Sequence, residues 1–185
     1  MHRPVVDAIT PEFLSQVTDD DLPDLLFQYV LAVVGARHDD LPIIAALPVG
    51  LRAGYVLCVL ESEILNGGFH QFFTNSSGRH SDEALEYLRM IGAERHTAIL
   101  AEASQLNRQL EAKYPSYQRR WEAPTPEPSA DEYAEFWSEF EEAVEPEFDR
   151  LDGEFSQSES IWPLFVNWVR RDPDVCVHRR HASST

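Results

Sequence analysis

The chain has little cysteine, little positive charge and no long apolar run. Its two cysteines, Cys58 and Cys176, stand alone with no CxxC spacing. That excludes the usual zinc and dithiol signatures and fits a reducing compartment. No stretch stays apolar for the ~20 residues that a membrane span requires. The opening residues Met1 to Phe13 lack the apolar core of a secretory leader, so a cytoplasmic protein without a membrane partner is expected. HExxH, Glu-x-x-His, P-loop, GxGxxG and GxSxG patterns are all missing. No catalytic residue, metal ligand or cofactor is therefore assigned, and a non-enzymatic protein is expected. Lys and Arg number 15 against 32 Asp and Glu, for a formal charge of −17. Such a chain repels nucleic acid and attracts cationic partners.

What is present reads as helix. The 185 residues, 43% of them hydrophobic, suffice for one domain with a real core. The apolar residues follow the helical period better than strand alternation. The expected fold is all-α, a single compact domain over 1–185 with about seven helices. The first starts at Thr10, with Pro11 at its first position. Others are expected over about 21–36, 48–65, 82–91, 93–112, 129–149 and 160–171. The helix over 48–65 is apolar on every side, which suggests a central, buried element. Gly67 and Gly68 end it, with Gly67 suited to the left-handed position. Ser81 is placed to cap the helix at 82–91. Pro115 to Pro128 reads as a proline-rich loop, and 172–185 as a frayed tail.

The negative charge is concentrated. From Glu122 to Glu159 there are 14 acidic residues and one basic residue, Arg150, which is −13 of the −17. Ser129 and Glu132 form a capping box that opens the helix here, and Pro146 should kink or end it. At ~3.6 residues per turn, Asp131, Glu135, Glu139, Glu142, Glu145 and Asp149 share one stripe. Tyr133, Phe136, Trp137, Phe140, Ala143 and Val144 occupy the opposite one. Carboxylates ~4.5–6 Å apart along the axis oppose helix formation by a few tenths of a kcal/mol per pair. The bland explanation is a solvated face. The functional one is a rigid carboxylate array for a basic surface, such as that of a DNA-binding regulator. DNA carries a charge every ~3.4 Å per strand, so a good imitation calls for a second row, from Asp19 to Asp24, from Asp39 and Asp40, or from a second subunit.

The most distinctive local pattern is Glu61-x-Glu63-x-x-Asn66-Gly67-Gly68-Phe69-x-Gln71-Phe72-Phe73-x-Asn75-x-x-Gly78. Ala84-Leu85, Leu88 and Ile91-Gly92-Ala93 follow it. Read from the residues, two glycines reverse the chain, three phenylalanines refill the core, and Asn66, Gln71 and Asn75 satisfy backbone groups at the turn. The alternative is a polar ligand pocket lined by Glu61, Glu63, Gln71 and Asn75. Over Val49 to Ala103 the pattern resembles the DNA-mimic-protein-like family, with Leu65-Asn66 standing where Asn-Asn is more usual. The resemblance implies an all-helical fold. In the family's characterised member it also implies an acidic dimer that imitates DNA and occupies a transcription regulator.

The sequence thus points to an acidic binding protein whose partner is a basic protein, with Asp131 to Asp149 as the partner-binding face and a homodimer compatible with it. A small-ligand protein or enzyme built on the Asn-Gly-Gly-Phe motif is one alternative. An immunity-type neutraliser of another basic protein is the other.

Overall fold

The computed structural model describes residues 6–35, 41–113 and 129–180. The Pro115–Pro128 loop, Asp39 and Asp40 lie outside them, as do the side chains of Glu132, Tyr133 and Ala143. The expected all-α class holds. The helices are α1 (Pro11–Leu14), α2 (Leu22–Val34), α3 (Leu41–Ala45), α4 (Val49–Thr74), α5 (Ser81–Ile91), α6 (Glu94–Lys113), α7 (Ala130–Glu139), α8 (Glu145–Ser156) and α9 (Trp162–Arg171). Two two-residue strands, β1 (Ala8–Ile9) and β2 (His178–Arg179), pair antiparallel. No helix among the described residues is long and apolar enough to cross a membrane.

By internal contacts the chain divides into two compact units, Met1–Cys58 with Ser160–Thr185, and Val59–Glu159. In the first, Thr10 caps α1 by accepting the Phe13 N–H at 3.2 Å, as its sequence implies. Leu22, Leu26, Tyr29 and Val30 of α2 are buried, as are Phe165 and Val169 of α9. Arg170 closes the α1–α2 connection by donating to the carbonyls of Leu14 and Val17, each at 2.6 Å. It also pairs with Asp19.

The tail corrects an expectation. Residues 172–180 are not frayed. Pro173–Cys176 form a 3-10 turn, and β2 then pairs with β1. Tyr29 donates its hydroxyl proton to the His178 carbonyl at 3.3 Å and lies 2.8 Å from His178 Nδ1. The buried Cys176, the β pair and the Tyr29 contacts to His178 hold this segment in place.

Three further differences have local causes. α4 is not buried on all sides: Cys58 and Val59 are half-buried and Leu65 is 61% exposed. Ser81 does not cap α5 but is its first residue, since a 3-10 turn over Ser76–His80 feeds directly into it. α7 and α8 are joined by a π turn, Phe140–Val144. The buried residues Phe136, Phe140, Val144 and Phe148 recur every fourth position. Each such step overshoots an α turn by about 40°, and a wider π turn absorbs the drift and keeps them on one side. Pro146 falls in the first turn of α8, where its missing N–H costs little.

The buried tail can be tested by thiol labelling. Cys176 is fully buried, and burial, with Asp172 adding to it, pushes its thiol up to about 12. At pH 8 it should react at least about 100-fold more slowly in the native protein than in urea. Fast native reaction at Cys176 would show that the tail is undocked.

Candidate functional site

The site begins at the two glycines. α4 breaks at Gly67 and Gly68 and resumes at Phe69. Gly67 does not take the left-handed position; it is Gly68 that has a positive φ, 73° with ψ −177°. A side chain there would be strained and would fall on the carboxylate of Asp152. That carboxylate reaches over from α8 and accepts the Phe69 N–H at 2.8 Å. The resumed helix is thus capped by a side chain 83 residues later in the chain. Burial pushes the Asp152 carboxyl up; the Phe69 N–H pulls it down, and the nearby Asp149 charge adds to the upward push.

The polar residues of the motif close on each other. Glu63 Oε2 accepts from Gln71 Nε2 at 2.7 Å and from Asn75 Nδ2 at 3.0 Å, while its Oε1 accepts from Ser77 Oγ at 2.7 Å. Asn66 Nδ2 in turn donates to Gln71 Oε1 at 3.3 Å. Partial burial pushes the Glu63 carboxyl up, but the donors Ser77, Gln71 and Asn75 outweigh it and hold it below its ordinary range. Gly78 packs against the backbone, its missing Cβ being 2.8 Å from the Phe73 carbonyl oxygen. The motif's polar groups therefore bind the two halves of α4 to the 3-10 turn. This leaves Glu63, Gln71 and Asn75 engaged with one another rather than arrayed around a ligand, and Glu61 is half-buried.

The motif's aromatics make a seat for the acidic helix. Phe69, Phe72 and Phe73 are buried. Phe69 meets Phe155 edge-on at 5.8 Å, and Phe73 meets Phe148 at 6.1 Å. The His70 ring lies 4.4 Å from Phe140 and 6.3 Å from Trp137. Each buried phenylalanine contributes about 2–3 kcal/mol of apolar transfer, so this side of α7–α8 faces the interior.

Of the acids read as the partner-binding face, Asp131, Glu135, Glu142, Glu145 and Asp149 are exposed. No ion pair to another described residue engages them. Glu139 departs from the expectation, being half-buried and paired with Lys113. Arg150, the lone base in the acidic segment, is occupied by Glu147 at 3.0 Å, Glu154 at 2.7 Å and Glu102 of α6. It therefore neutralises neighbours beside the stripe rather than the stripe itself.

A groove of about 380 Å³ runs where the motif and the acidic helix meet. His70, Gln71 and Thr74 line one wall, and Phe140, Phe148, Glu145, Asp149 and Asp152 the other. Burial holds the His70 imidazole below its ordinary range. Among the described residues no cluster of His, Cys, Asp and Glu has the spacing to hold a metal ion.

A family model for DMP19-like proteins matches residues 45–172. The chain belongs to the DMP19-like family. The match covers the motif, the acidic helix and α9, a wider span than the Val49–Ala103 over which the sequence resemblance was clearest. Comparison with curated proteins and with solved structures returns no significant match.

Asp152 and Ser77 belong to this site and are not singled out by the sequence. Asp152 did carry a signal. It lies four residues after Phe148 and three before Phe155, an acid placed on the apolar seam of its helix. Such a position asks for a buried partner, and the partner is the Phe69 N–H.

Substitutions at the break test this geometry by urea denaturation. Gly68→Ala should cost about 2–4 kcal/mol, combining left-handed strain with loss of the cap. Asp152→Ala should cost about 1–2 kcal/mol, and Asp152→Asn much less because an acceptor oxygen remains. Glu63 has a depressed folded value, so its contribution is complete above about 4.5 and disappears as the pH falls through that folded value. Glu63→Gln should remove that part of the acid sensitivity. An unchanged acid limb would contradict the network.

Proposed function

We propose that this protein is a DNA-mimic type of binding protein whose α7–α8 face occupies the basic surface of a DNA-binding protein. One observation carries the reading. The aromatic side of the acidic helix is seated on the motif, and five carboxylates, Asp131, Glu135, Glu142, Glu145 and Asp149, stand exposed on it. Membership of the DMP19-like family supports the same class of function. A single row at ~4.5–6 Å per charge is sparser than a DNA strand at ~3.4 Å. A homodimer would supply the second row and bring the array closer to a duplex.

Exposed ion pairs are each worth about 0.2–1 kcal/mol, so affinity must come from their number and from fixed spacing. That arrangement favours fast, salt-sensitive association with a cationic surface over a wide range of sequences. The immunity-type alternative shares these electrostatics and differs only in what its basic partner does.

The test is quantitative binding to proteins captured from lysate, with and without duplex DNA. Changing Asp131, Glu135, Glu142 and Glu145 together to Asn or Gln should weaken binding about 10- to 100-fold, at ~1.4 kcal/mol per factor of ten. Relief of like-charge repulsion should leave that variant at least as stable as the parent in urea. Duplex DNA should displace the partner. Undiminished binding by the variant would refute the acidic-face reading. Loss in the variant without displacement by DNA would favour the neutraliser of a basic protein that does not bind DNA.

A further inference from the structure

We infer that Asn66-Gly67, at the break in α4, is a site of spontaneous covalent modification in the folded protein, and that its product loosens the seat of the acidic helix. This goes beyond the reading above and does not depend on what the partner is. Of the chain's asparagines, Asn66 alone precedes a glycine; Asn75, Asn107 and Asn167 precede Ser76, Arg108 and Trp168. A glycine has no Cβ to hinder attack by its own backbone nitrogen. In the reaction the Gly67 nitrogen attacks the side-chain carbonyl carbon of Asn66. The new C–N bond closes a succinimide, and the side-chain nitrogen leaves as ammonia, taking the Gly67 amide proton. Water then opens the ring to aspartate or isoaspartate. No oxidant or enzyme is required.

The fold leaves this pair open and protects its counterpart. Asn66 and Gly67 are both exposed, and regular helix stops at Gly67, with φ −155° and ψ 22°. The Asn66 amide donates to Gln71 Oε1 at 3.3 Å, an exposed contact that can open without unfolding the core. Asp152-Gly153 could close the same ring with loss of water. That pair lies inside α8, where the helical ladder holds its peptide, and the Asp152 carboxylate is engaged by the Phe69 N–H. Packing also keeps the labile glycine in place, because a Cβ at Gly67 would fall on the Gln71 side chain.

The product conflicts with its surroundings. A carboxylate at position 66 has no N–H for Gln71 Oε1, so acceptor would face acceptor. Turning the Gln71 amide around repairs that contact only by directing Oε1 at Glu63 Oε2, which now accepts from Gln71 Nε2 at 2.7 Å. Isoaspartate also adds a methylene to the main chain just before Gly67. The Phe69 N–H, whose 2.8 Å bond to Asp152 ties the two helices together, lies two residues beyond it.

The test incubates the full-length protein at pH 8, native and in urea, with peptide mapping by mass spectrometry and fragmentation that separates aspartate from isoaspartate. In the native protein, modification at position 66 should proceed within about 10-fold of its rate in urea, since local opening suffices. Isoaspartate at position 152 should form at least about 10-fold more slowly in the native protein than in urea, its opening being that of a buried contact. Asn66→Gln, whose longer side chain closes the ring far less readily, should abolish the signal at position 66. Protection of position 66 equal to that of position 152 would overturn the site. The modified form, separated by anion exchange, should exchange its Phe69 amide at least about 5-fold faster than the parent. Asn66→Asp, which brings the charge without the added methylene, should accelerate it in the same direction. Phe69 exchange unchanged in both would overturn the link to the acidic helix.

Discussion

The architecture around the candidate site depends on one hydrogen bond, from the Phe69 N–H to the Asp152 carboxylate across the Gly67–Gly68 break. A broken helix exposes backbone donors that must find acceptors. Here the acceptor comes from the acidic helix. The same contact that ends the strain at the break therefore fixes which side of α8 faces inward. Glycine at 68 is needed because both the left-handed backbone and the closeness of Asp152 exclude a side chain.

From that constraint the rest follows in order. Asp152 sits between Phe148 and Phe155 on the seam, so their rings are carried against Phe73 and Phe69. Four buried phenylalanines of α7–α8 and the π turn offer about 8–12 kcal/mol of apolar transfer. Unrelieved carboxylate neighbours on the outer stripe cost a few tenths of a kcal/mol each. The aromatic term wins by a wide margin, which is why a segment of such high negative charge can stay helical. The DMP19-like motif and the acidic helix are thus one device. The motif does not supply acidic surface; it supplies the seat that turns an acidic helix outward.

Much of this was legible in the sequence, and the exceptions are instructive. The helical class, the Thr10 start and the amphipathic split of 131–149 follow from period and capping chemistry, which are local. The aromatic role of Phe69, Phe72 and Phe73 was readable for the same reason. What escaped depends on contacts distant in sequence. The choice of Gly68 over Gly67 is made by Asp152, and the docking of 172–180 by a sulfur and a two-residue β pair. The pairing of Glu139 with Lys113 is invisible to a helical wheel because Lys113 is 26 residues away. Asp152 looks like one more acid by composition, and only its place on the apolar seam marks it as different.

The central claim is that the acidic face is already built before any partner arrives. Amide hydrogen exchange on the isolated protein tests it directly. Slow exchange is expected at Phe69 and at the amides of Phe140, Phe148, Leu151 and Phe155, at rates set by unfolding of the unit as a whole. Exchange at unfolded-chain rates across 136–155, with protection appearing only on binding, would contradict it.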